Sequence, residues 1–106
     1  MKTPEGKTTA VVAYITIVGA IIAIFMNSEP KHQFARFHIR QAFGIHLLFH
    51  GLAIFFSTTG LDYAWAVLYL VFFGIWLYTM IGAIQNQKKE LPVLGGYFQK
   101  WFTFIS

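Results

Sequence analysis

The sequence contains no cysteine. That excludes disulfides, thiol nucleophiles and cysteine metal sites, and is silent on compartment. Charge is scarce as well. Asp, Glu, Lys and Arg make up 11% of the 106 residues, against about 25% in an ordinary soluble domain. So few charges cannot furnish a water-facing shell. Acids are scarcest: Glu5, Glu29, Asp62 and Glu90 are all there are, and none lies within a long apolar stretch. No carboxylate pair, Ser/His/Asp grouping or phosphate loop is present, so no enzyme is expected. No metal site is expected either, since a metal needs more ligands than two histidines.

What is abundant is apolar length. Three stretches, Thr8–Met26, Gln41–Ser57 and Tyr63–Ile84, cover most of the chain. Crossing about 30 Å of hydrocarbon takes roughly 17–25 mostly apolar helical residues. From Ala10 to Met26 the only polar positions are Tyr14 and Thr16. A segment apolar all round is not the amphipathic helix of a soluble core. The apolar run is too long for a signal-peptide core, and Phe25-Met26-Asn27 is a poor cleavage site. The fold predicted is a single all-α integral membrane domain of three transmembrane helices.

The ends of these stretches carry punctuation. Asn27-Ser28-Glu29-Pro30 ends the first, with Ser28 placed to cap a helix starting at Glu29. Ser57-Thr58-Thr59-Gly60 closes the second, and the short connection makes the second and third antiparallel neighbours. After the third come Pro92 and Gly95-Gly96, which break helical structure. Then, from Tyr97 to Ser106, Tyr97, Phe98, Trp101, Phe102, Phe104 and Ile105 fall on one half of a helical wheel. Gln99, Lys100, Thr103 and Ser106 fall on the other. That pattern predicts an amphipathic interfacial helix over 97–106.

Net charge is +4. No basic face or groove-reading motif is visible, so no nucleic-acid partner is expected. The basic residues flank apolar segments instead. Lys31, Arg36 and Arg40 lie in the first connection and Lys88, Lys89 and Lys100 in the tail, while the second connection has only Asp62. Basic short loops favour the cytoplasm. With three spans, this puts the C-terminus in the cytoplasm and the N-terminus outside, although Lys2 and Lys7 pull the other way.

Candidate functional residues follow from helical geometry. Arg36 and Arg40 share one side of the second helix and suit lipid headgroups, as do Lys88, Lys89 and Trp101. His38 and Gln41 are turned to the other side, toward neighbouring helices or a partner. His46 and His50 are four apart and share a face. His50 lies about 13 Å along the axis from Gln41. Ionisable groups at that depth are a candidate intramembrane polar site, for interhelical bonds, a proton or a haem. Gly19 with Ala23, Gly44 with Gly51, and Gly74 with Gly82 mark faces where helices can approach closely.

The segment Phe34-Ala35-Arg36-Phe37-His38-Ile39-Arg40-Gln41-Ala42 resembles the Phe-x-x-Phe-His-x-x-Gln-Ala signature of a small membrane-protein family. That family is named for the twenty-kilodalton inner-envelope component of the chloroplast protein-import apparatus, and its bacterial and archaeal relatives are mostly uncharacterised. The similarity extends to Leu91-Pro92-Val93-Leu94-Gly95 before the aromatic tail. The resemblance implies an all-helical polytopic protein without known enzymatic activity, Phe37, His38 and Gln41 being the motif's core. In plants it implies a part in moving proteins across a membrane.

Together these readings predict a non-catalytic subunit or assembly factor of a larger complex in a cell's inner (cytoplasmic) membrane, acting in protein translocation or insertion. Its partners would be the lipid bilayer and other membrane-protein subunits, with no cofactor. Two alternatives belong to other classes. One is a haem-binding redox protein using His38, His46 or His50. The other is a self-associating small channel or transporter.

Overall fold

The computed structural model describes residues 6–28, 31–60, 62–92 and 94–105. Every regular element among them is a helix: α1 (Lys7–Ile15), α2 (Ile17–Met26), α3 (Gln33–Ser57), α4 (Asp62–Ile84) and α5 (Leu94–Trp101). Two are long and apolar enough to cross a membrane, Gln33–Ser57 and the Tyr63–Ile84 portion of α4. At 1.5 Å per residue they run about 37 and 33 Å. They pack antiparallel, with Phe49 of α3 against Phe72 of α4 at 5.5 Å and His38 bonded to the carbonyl of Gln87 just past α4.

The expected first span does not form. The apolar stretch 8–26 breaks at Thr16, which adopts an extended backbone (φ −151°, ψ 173°) between α1 and α2. Each piece is about 14–15 Å long, half of what spanning requires. The chain turns back on itself here. A Cβ at Gly6, just before α1, would lie 2.8 Å from His32 Cβ. Asn27, just after α2, also meets His32: the His32 N–H donates to Asn27 Oδ1 at 2.9 Å. Both ends of the pair therefore sit beside the start of α3, and the pair is a helical hairpin.

Its sequence explains the close approach. Ala10, Ala13, Ala20 and Ala23 are fully buried, and a Cβ on Gly19 would collide with the carbonyl oxygen of Val12. Small side chains let the two helices meet at backbone distance. Thr16 then starts α2 by accepting a hydrogen bond on Oγ1 from Gly19 N–H at 3.1 Å. A β-branched run, Ile15-Thr16-Ile17-Val18, is the place where leaving helical geometry costs least.

Two smaller expectations change too. Ser28 does not cap α3; its hydroxyl donates to Phe25 O at the end of α2. Glu29 and Pro30 lie outside the described residues, as does Ser106. Gly95 and Gly96 do not break the tail but open α5, because Gly95 lies against Glu90 and within 3.2 Å of Gln41 Oε1 from its would-be Cβ, where no side chain fits.

The molecule measures 47 × 27 × 22 Å, and its two ends differ. At the near end α1, α2 and α5 surround the first half of α3. At the far end α3 and α4 stand as a bare pair, with Leu70 74%, Tyr63 70% and Ile54 69% exposed. Large apolar side chains exposed on this scale mark a surface that meets lipid or another protein.

Gly19→Leu should open the hairpin and lower stability by about 1–3 kcal/mol, the usual cost of overpacking. Gly74→Leu is the control, since nothing lies within 4 Å of a Cβ there; it should fall within about 0.5 kcal/mol of the parent. Reversible unfolding in mixed micelles measures both, and equal stability of the two variants would contradict the doubled-back geometry.

Candidate functional site

Leaving the helix at Thr16 strips the end of α1 of its next-turn donors, and other helices supply them. The Trp76 indole N–H donates to Tyr14 O. His46 Nε2 lies 3.0 Å from Ala13 O, and a carbonyl can only accept, so that nitrogen carries the proton. Two bulky polar side chains on α3 and α4 thus cap the hairpin's tip.

Deeper in the near end lies a denser knot. Tyr14, His38 and Gln41 are all fully buried. The Gln41 amide donates to Tyr14 Oη and to Lys89 O, both at 3.0 Å, while its Oε1 accepts from Leu91 N–H at 2.8 Å. These partners fix the amide's orientation, because Lys89 O needs a donor and Leu91 N–H an acceptor. His38 Nε2 lies 2.7 Å from Gln87 O, so it donates. His38 Nδ1 is then the acceptor for the Tyr14 hydroxyl at 2.5 Å. The imidazole is neutral, with both nitrogens engaged. Phe34 and Phe37 flank the ring edge to face at 4.7 and 5.0 Å.

The backbone that this knot grips is non-helical. Asn86 ends α4 with φ +64°, a conformation that asparagine tolerates better than most residues. Asn86 N–H bonds Ala83 O and Gln87 N–H bonds Gly82 O at 3.2 and 2.9 Å, the paired bonds of a left-handed helix stop. The turn sends residues 87–91 along α3, where His38 and Gln41 take their polar groups.

A second clasp holds the tail. Arg40 Nε donates to Ile105 O at 2.9 Å, and its two other nitrogens reach Thr103 O and Gln99 O at 3.4 Å. Gln99 Nε2 returns a bond to Phe37 O at 2.8 Å. Arg40 thus bonds the chain's own tail carbonyls. Phe98 is buried, not interfacial, and fills the space that Gly44 leaves open on α3. Tyr97, Trp101 and Phe104 remain outward at 49, 62 and 68% exposed.

The structure brings together some of the sequence's candidate residues and separates others. Phe37, His38, Gln41 and Gly44 gather at the near end. Lys89 lays its ammonium 5.0 Å from the Tyr78 ring centroid, its stem crossing Gly82. Lys88 is exposed and Arg36 half-exposed. Gly51 and Gly74 have nothing within 4 Å of a Cβ, so neither packs a helix within the chain. His46 is buried and His50, one turn on, is exposed; they do not form one site. A cavity of about 190 Å³ beside His46 is lined by Phe49, Phe72 and Trp76 among others. It is smaller than the roughly 300–1,000 Å³ of ordinary ligand pockets. No group of three or more metal-ligating side chains occurs among the described residues.

Tyr14, Trp76 and Asn86 were not singled out from the sequence as site residues. The available signal was Tyr14 and Thr16 standing as the only polar positions in their stretch, and both serve the break. In comparisons with known proteins, no family model, curated protein or solved structure matches this chain. Its function must be argued from the geometry.

Tyr14→Phe leaves His38 Nδ1 and one Gln41 N–H unpaired in a buried place. The expected loss is about 1–3 kcal/mol, toward the lower figure because interhelical bonds in membranes average nearer about 0.6 kcal/mol. Faster amide exchange across 87–91 in the variant is the check. Arg40→Ala should speed tryptic cleavage after Lys100 by at least about tenfold, since bonds to a charged donor contribute roughly 1.5–3 kcal/mol. Arg36→Ala should leave that cleavage unchanged.

Proposed function

We propose that this chain is a non-catalytic membrane protein with two spanning helices and one re-entrant hairpin, serving as a subunit or assembly factor of a larger membrane complex. One contrast carries the reading. The buried polar side chains near the knot are bonded to the chain's own backbone, so they hold shape, while the far half of α3 and α4 offers apolar surface outward. A catalyst would be expected to keep reactive groups unengaged in a cleft. The resemblance of the Phe-His-Gln segment points to a complex that moves or inserts proteins.

Orientation follows from charge. Every Lys and Arg among the described residues, from Lys7 to Lys100, lies at or near the near end. Basic residues favour the cytoplasmic side, so the near end faces the cytoplasm of an inner (cytoplasmic) membrane. Because α1 and α2 double back, the N-terminal side joins the C-terminal tail there. The conflict between Lys7 and an outside N-terminus then disappears. Trp101, Tyr97 and Lys100 meet the interface beside Lys88 and Arg36. A haem role for His38 would require breaking the bond at whichever ring nitrogen met the iron, and a haem role for His46 through Nε2 would break its bond to Ala13.

The test has two parts. A reporter active only outside the membrane should stay silent at both termini; activity at the N-terminus alone would restore three spans. Co-purification in mild detergent, followed by mass spectrometry, should recover other membrane subunits. The pair His38→Ala and Gln41→Ala should insert normally but lose them. A haem absorbance band in the purified protein would sink the proposal.

A further inference from the structure

We propose that the chain pairs with a second copy of itself along the outer stripe of α3 formed by Leu47, His50, Gly51 and Ile54. The spacings of three and four residues put these side chains on one helical face, and all four are exposed. The same stripe begins lower down at Arg40 and Phe43. There the tail covers it: Arg40 holds Ile105 O, and Phe43 packs edge to face on Phe102 at 5.1 Å. Beyond Phe43 the stripe is exposed at Leu47, His50, Gly51 and Ile54.

Two independent features of this bare stretch call for an occupant. The first is the His50 ring. His38 and His46 both turn inward and bond backbone across helices. His50 faces out, and its ring contact is with its own chain neighbour, Phe49, at 5.5 Å. Its place in α3 is well inside the segment that would sit in hydrocarbon, where ionisable side chains ordinarily face protein or a water-filled cavity. The second feature is Gly51, beside it, with no atom within 4 Å of a Cβ. Glycine there leaves the helix surface flat, so another helix can come close.

The chemistry selects the occupant. Lipid tails can bond neither ring nitrogen. A neutral imidazole carries one donor and one acceptor, so His50 can bond the same ring on a second copy. Two copies inserted the same way round are related by a twofold along the membrane normal. That axis brings identical depths together, so His50 meets His50 with Gly51 at the crossing. The pairing rests on the reading of α3 as membrane-embedded, and the experiment separates the two.

The full chain lacks cysteine, so single cysteines give a clean background. In native membranes under mild oxidation, Leu47→Cys and Ile54→Cys should each form a disulfide dimer of twice the chain mass. Leu70→Cys, on α4 and 74% exposed, should not. In the Ile54→Cys background, His50→Leu should lower the dimer fraction by about threefold. His50→Asn, which keeps a donor and an acceptor, should lower it less, and Gly51→Leu should abolish it. No dimer at 47 and 54, equal cross-linking at 70, an adduct of another mass, or indifference to both His50→Leu and Gly51→Leu would overturn the pairing. Alkaline extraction of the same membranes distinguishes the two failures. Release of the chain would refute the membrane reading itself, whereas retention without a dimer refutes only the second copy.

Discussion

Where water is absent, every backbone N–H and C=O that leaves helical geometry must find a partner within the protein. Among the places where this chain leaves helical geometry are Thr16 and residues 86–92. The polar side chains of α3 and α4 are distributed to meet that need. His46 and Trp76 serve the carbonyls freed at the end of α1. His38 and Gln41 serve Gln87, Lys89 and Leu91. Tyr14 links the two sets, carrying its hydroxyl to the knot and its carbonyl to Trp76. Removing a member therefore leaves a buried group orphaned, which costs more than the bond's own modest net contribution.

The two long apolar helices were legible because length and apolarity can be read directly from a sequence. Tyr63–Ile84 is the same stretch in sequence and structure. The inward turn of His38 and Gln41 was also legible, since helical spacing sets them opposite Arg36 and Arg40 and their full burial follows. The break at Thr16 was not. A stretch that is apolar all round reads alike whether it crosses a membrane or goes halfway and returns, because hydropathy measures solvent preference and not path. Only the alanine and glycine positions 10, 13, 19, 20 and 23 hinted at two helices in close contact, and those five also suit one helix against a neighbour.

The tail was misread for a different reason. A wheel assigns residues to a face but not to what the face meets. Phe98 and Trp101 share the apolar half, yet Phe98 fills the notch at Gly44 while Trp101 remains exposed. Arg40 shows the same limit. Its position one turn from Arg36 suited headgroups, and periodicity gave no sign that its nitrogens also reach tail carbonyls. Each case turns on a long-range contact, about 55–65 residues apart in sequence, that periodicity cannot carry.

The two ends of the molecule consequently resist disruption by different means. At the near end, side-chain hydrogen bonds tie five helices and a non-helical strap into one unit, so its shape depends on geometry at particular atoms. At the far end, α3 and α4 touch only through side chains such as Phe49 and Phe72, with an aromatic contact contributing about 0.5–1.5 kcal/mol beyond its burial. In lipid, that burial gains little, because the tails are as apolar as the side chains they replace. The far pair is thus the part whose arrangement is set least by the chain itself. It is also the part that carries the outward His50 and the open Gly51. A rigid polar base holding up a weakly constrained apolar pair leaves the far half free to take its final packing from whatever lies beside it.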